Sequence, residues 1–146
     1  MWREITEDDI YGVLSQPEAA AYQTAAVAVG QDVLTDVTTK VIEQCRGYIA
    51  DNPANTLAAG LTLPDRAILP ALHLMRVELL TRLDMEVSKD RMDAKRDAIR
   101  FFERVSEGKV ALESPDGETD DSGTSTRVET LNSRERIADR SKLSGL

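Results

Sequence analysis

The sequence predicts an all-α protein: a small helical bundle of about four to five helices with a long extended C-terminal arm. Three observations carry this. Apolar residues up to about Leu112 recur at the spacing of amphipathic helices. Alanine-rich runs such as Ala19-Ala20-Ala21 and Ala25-Ala26 favour helix over strand, and no strand-like alternation stands out. Beyond Leu112 the hydrophobicity stops: from Glu113 to Leu146 the apolar side chains are Val128, Leu131, Ile137, Ala138, Leu143 and Leu146. Such a segment cannot bury enough surface to offset the entropy of ordering it alone. The chain therefore reads as a helical domain, 1–112, and a polar arm, 113–146, that partners would order.

The first helix starts at Thr6. Asp9 three residues on makes a capping box, and Ile5 and Ile10 are placed as a hydrophobic staple. Glu7, Asp8 and Asp9 suit the positive end of the helix dipole. Gly12 and Ser15 end this piece, and Ser15 caps a second helix whose first turn holds Pro17 and Glu18. It runs to about Val29, where Gly30 breaks it.

A third helix spans roughly Gln31 to Ala50. Leu34, Val37, Val41, Cys45 and Tyr48 form its stripe, widened by Ile42 and Ile49, and Asp51-Asn52-Pro53 stops it. Residues 54–61 are a loop of small side chains. Thr62 and Asp65 form a second capping-box candidate around Pro64. The fourth helix carries Ile68, Leu72, Met75, Leu79 and Leu83 on one side, with Leu69, Leu74, Val77 and Leu80 outside that stripe. A helix apolar on more than one side is usually central. Pro70 removes a hydrogen bond and disfavours helix at Leu69, so the helix proper is expected from Pro70 to Leu83, after a short turn.

Ser88 caps the fifth helix, with Val87 and Met92 as a staple. Ala94, Ala98, Phe101, Phe102 and Val105 are its buried stripe, and Gly108 fits the stop. Val110 to Leu112 reads as a short extended exit. In the arm, Glu113 to Asp121 holds five acidic and no basic residues, whereas Arg127 to Lys142 holds five basic and three acidic ones. Glycines, serines and threonines between them mark a linker.

Composition narrows function. A net charge of −8 argues against a general nucleic-acid binder, because phosphate affinity needs Lys and Arg. The one cysteine, Cys45, permits no internal disulfide and reads as a small core residue. The start, Met1-Trp2-Arg3-Glu4, lacks the apolar run of a signal peptide, and no window approaches a membrane span, so a soluble protein made in the cytoplasm is expected.

Enzymatic chemistry has little support. The sole histidine, His73, has Leu72, Leu74 and Arg76 as near neighbours rather than an orienting carboxylate. One Cys and one His are poor material for a metal site. Asp116, Glu118, Asp120 and Asp121 lack the glycine and ligand spacing of a calcium loop. No phosphate loop is present. No cofactor, no metal and no catalytic residue are expected.

Partner contacts are the better candidates. Arg96, Arg100 and Arg104 recur every four residues, as a docking stripe or as an ordinary solvated face with Asp93, Asp97 and Glu103 interleaved. Their sign opposes that of Glu7 to Asp9, so the two could meet between neighbouring copies. Trp2 reads as an interface anchor or as a side chain folded back on the bundle. In the arm, Arg127, Arg134, Arg136 and Arg140 are the basic docking residues, with Leu131 and Ile137 as apolar anchors.

Three stretches carry a family resemblance. They are Val41-Ile42-Glu43-Gln44-Cys45-Arg46-Gly47-Tyr48-Ile49-Ala50 before a proline loop; Leu69-Pro70-Ala71-Leu72 leading into Met75-Arg76-Val77-Glu78-Leu79-Leu80; and Asp90-Arg91-Met92-Asp93-Ala94 with Ile99-Arg100-Phe101-Phe102, ending at Gly108-Lys109-Val110. In this order they make Thr6 to Leu112 resemble the head–tail connector proteins of tailed bacteriophages. The nearest group is gp36-like (phage Mu type), related to the adaptor, or head-completion, proteins of HK97-like and SPP1-like phages. The Ala19–Val29 helix and the polar arm depart from that pattern. The resemblance implies a ring-forming adaptor in the virion neck, usually a dodecamer. It would bind the portal protein above and a stopper or tail-completion protein below. Double-stranded DNA would pass through the lumen without specific binding, and no membrane is involved. The alternatives are a cytoplasmic helical adaptor or regulator that binds one protein through its tail, and a small enzyme using His73.

Overall fold

The computed structural model describes residues 1–29 and 33–115, with the side chains of 26–29 left aside. The order is β1 (Trp2–Glu4), α1 (Glu7–Val13), α2 (Gln16–Val29), α3 (Val33–Asp51), β2 (Thr62–Pro64), α4 (Asp65–Arg82) and α5 (Lys89–Ser106). Among the described residues the fold is all-α apart from one small antiparallel ribbon.

Local signals explain most boundaries. Thr6 caps α1 with a complete capping box: its hydroxyl accepts from the Asp9 amide, and the Asp9 carboxylate accepts from the Thr6 amide. Ser15 and Glu18 repeat the device at α2. Ser88 accepts from the Arg91 amide at the start of α5. That helix ends on Gly108 at φ +75°, which frees the Gly108 amide to donate to Val105 and the Lys109 amide to Arg104. This is the left-handed stop that glycine reaches without a Cβ clash.

α4 is the centre of the bundle. Its Ala67, Ile68, Ala71, Leu72, Leu74, Met75, Val77, Leu79 and Leu80 are all buried, against α3, α5 and α1. α3 presents Leu34, Val37, Val41, Ile42, Cys45 and Ile49, and α5 presents Ala98, Phe102 and Val105. Phe102 stacks with Tyr48 at 6.0 Å between ring centroids and meets Phe101 edge-on at 5.3 Å. Cys45 is fully enclosed, and burial pushes its thiol up to about 12.

Four expectations need correction. α4 does not begin at Pro70; it begins at Asp65 with Pro70 inside. Burial of Ala67, Ile68 and Ala71 holds the first turns, and Leu69 on the outer face is 57% exposed. The lost bond falls at the exposed Arg66, whose carbonyl water can solvate. Thr62 and Asp65 form no capping box: Pro64 occupies the N-cap position without a side-chain bond, and the Thr62 hydroxyl donates to Ala59. Strands do exist. β1 pairs β2 in the register Trp2↔Pro64, Arg3↔Leu63, Glu4↔Thr62, and three residues are too few for alternation to show in a sequence. Of the staple expected before α5, Met92 remains exposed.

Candidate interaction surfaces

The ribbon is the base of an N-terminal clasp. The Trp2 indole donates to the Glu113 carbonyl at 2.7 Å, and the Arg66 guanidinium donates to Ala111 at 2.8 Å. The Arg46 guanidinium lies 5.9 Å from the Trp2 ring and donates to the carbonyls of Thr62 and Ala58, both at 2.7 Å. One α3 arginine thus ties β2 and the loop before it to the tryptophan. Trp2 is half-buried and engaged by its own chain. The chain stays on the bundle through Glu113, one residue beyond the boundary read from hydrophobicity.

A second cluster joins α1, α2, α4 and α5. Arg76, on the central helix, is 7% exposed; it donates to the Val13 carbonyl at 2.8 Å and to His73 Nδ1 at 3.2 Å. Its Nε is buried without an acceptor among the described residues. Beside it, Arg91 donates through Nε and Nη2 to Glu18 Oε1 at 3.1 and 3.0 Å. Burial pushes the Glu18 carboxyl up, but the Ser15 amide and Arg91 outweigh it and hold the group below its usual range. Burial, and then the charges of Arg76 and Arg91, lower the His73 pKa. His73 is therefore a hydrogen-bond acceptor that orients a buried arginine.

The α5 stripe is open. Arg96 and Arg100 are exposed and make surface ion pairs with Asp93 at 3.3 Å and Asp97 at 3.7 Å, and Arg104 is exposed as well. Such pairs contribute little to stability, so these guanidiniums can be redirected to a partner at small cost. At the opposite pole of charge, Asp9 is already taken: the Arg3 guanidinium and the Thr6 groups hold its carboxyl well below the usual range. Glu7 and Asp8 remain exposed beside it.

A groove of about 230 Å³ lies between the start of the chain and α3. Ile10, Leu34 and Ile42 form its buried floor, Thr35, Thr38 and Thr39 one wall, and Ile5, Leu61, Glu4 and Glu7 the other side. No local pattern announces it, because it arises only when β1 and α1 come to lie beside α3. Among the described residues no cluster of three or more His, Cys, Asp or Glu side chains forms a metal-holding group, and no helix is long and apolar enough to cross a membrane. Arg127, Leu131, Arg134, Arg136, Ile137 and Arg140 lie outside the described residues.

Compared with known proteins, the chain matches no family model, no curated protein and no solved structure.

Proposed function

We propose that this chain is an adaptor of a tailed-phage neck: a ring subunit that joins the portal to the stopper or tail and continues the DNA channel. The observation that carries this reading is the ordered set of packing motifs in Val41–Ala50, Leu69–Leu80 and Asp90–Val110, which resembles the connector family. The first two stretches fall on α3 and α4 and the third on α5 and the turn after it, and these helices supply most of the core. The acidity of the chain suits a lumen past which DNA moves without sticking. A ring needs a head-to-tail interface that closes on itself. The exposed Arg96, Arg100 and Arg104 are the face assigned to a neighbour, where charge contributes specificity more than affinity.

The test is genetic and visual. In the phage or prophage that encodes this chain, its removal should leave DNA-filled heads without attached tails in electron micrographs. Normal tailed particles lacking the protein would end this reading, and would favour a regulator acting on one cytoplasmic partner.

A further inference from the structure

We propose that the groove between β1, α1 and α3 is a docking site for this chain's own C-terminal segment, with Ile137 filling the apolar floor and Arg136 and Arg140 pairing with Glu4 and Glu7. The inference does not rest on the neck reading and departs from the partner-ordered arm expected from the sequence: in the free subunit the segment docks on its own bundle.

Complementarity is the first argument. The floor of Ile10, Leu34 and Ile42 is apolar, and the cavity of about 230 Å³ suits an aliphatic side chain or two. Glu4 and Glu7 stand exposed at its edge and have no ion-pair partner among the described residues. The fitting occupant has one aliphatic residue flanked by cations. The sequence holds this at Arg134-Glu135-Arg136-Ile137-Ala138-Asp139-Arg140.

Chain path is the second argument. At one end of β1 the Trp2 indole holds the Glu113 carbonyl. Glu4, at the other end of that three-residue strand, borders the groove. Trp2 and Glu4 are about 7 Å apart along that strand at roughly 3.3 Å per residue. A chain as long as that between Pro115 and Ile137 can reach up to about 3.3–3.6 Å per residue when stretched, well past that gap. A tether that comfortably exceeds the gap gives an effective concentration on the order of millimolar, so the chain's own segment outcompetes that of a second copy in dilute solution.

Crosslinking of the full chain tests this. Thr38→Cys in the groove wall is combined with Ser141→Cys, four residues after Ile137, or with Ser125→Cys, which precedes the basic block. Cys45 does not interfere, since it is buried and its thiol stays protonated. In a chain without docking, the shorter loop to residue 125 closes faster. The proposal predicts the reverse: under oxidised glutathione, the intramolecular disulfide to residue 141 forms about tenfold faster. The preference should shrink in high salt and disappear with Glu4→Lys/Glu7→Lys. Should Thr38→Cys not fold, hydrogen exchange on the otherwise unaltered chain serves: amides of residues 5–10 and 34–42 should exchange faster in Ile137→Asp. Faster linkage to residue 125, links formed only between copies, or unchanged exchange in Ile137→Asp would each overturn the proposal.

Discussion

α4 and α2 are both helices without a clean polar face, yet they occupy opposite places in the molecule. α4 is the hub, with nine apolar side chains buried. Over Gln16–Ala25, where side chains are described, α2 buries only Tyr22, which meets Tyr11 edge-on at 6.2 Å. The difference is side-chain size. Leucine, isoleucine and methionine remove far more area from water than alanine does, at about 25 cal/mol per Å². α2 is held instead by directed contacts: the Ser15–Glu18 cap and the Glu18–Arg91 pair. Apolar content alone does not place a helix at the centre; bulk does.

The largest effects should therefore fall on α4 and what it meets. Leu72→Ala should destabilise by about 2–5 kcal/mol in chemical denaturation, the usual loss for a large-to-small core change. The exposed Gln23→Ala on α2 should stay within about 0.5 kcal/mol. Equal losses at both sites would erase the contrast between the helices.

Glu18→Ala sharpens it, because it removes both a cap contact and a partly buried ion pair. A loss of about 1–2 kcal/mol is expected, and α2 should show most of the gain in hydrogen exchange. Gly108→Ala should cost about 1 kcal/mol. Its added Cβ would meet only Asn52 Nδ2 at an ordinary 3.5 Å, so the cost is that of a positive φ. A neutral result in thermal melts would show that the stop after α5 relaxes freely.

Acidification gives a smaller, signed effect. His73 has its folded pKa below its ordinary value of 6.5, so the folded state prefers the neutral ring. Stability from this source is intact above pH 6.5 and falls as pH drops through that value toward the folded one. Protonation would remove the acceptor for Arg76 and add a third cation beside Arg91. His73→Gln, which keeps an acceptor, should flatten the stability profile between about pH 7 and 5. Asp9 and Glu18 behave in the usual carboxylate sense: their contributions are present above the ordinary carboxylate range and are lost as pH falls below it. A wild-type slope retained in His73→Gln would assign the effect to other groups.

Much of this was legible in the sequence. The α3 stripe, the Thr6–Asp9 box, the Ser15 and Ser88 caps, the Gly108 stop and the central place of the fourth helix all follow from local chemistry. What was not legible is non-local. Pro70 sits inside a helix because buried neighbours hold it there. Arg46 and Arg76 are held by carbonyls of Thr62, Ala58 and Val13, which no local pattern brings together. One signal was available: an arginine between Met75 and Val77, on a helix apolar nearly all round, has no solvent face to occupy. The short strands and the groove exist only after the chain's start meets β2 and lies beside α3.

The smallest expected change in fold goes with the largest in assembly. Arg100→Glu should leave stability within about 0.5 kcal/mol, since its pair with Asp97 is exposed, and should still impair assembly. The neck reading itself is tested most directly by native mass spectrometry of the full chain, alone and with its cognate portal. A monomer alone and a closed ring on the portal, of about twelve copies by the resemblance, are expected. A stable dimer that ignores the portal would contradict that reading.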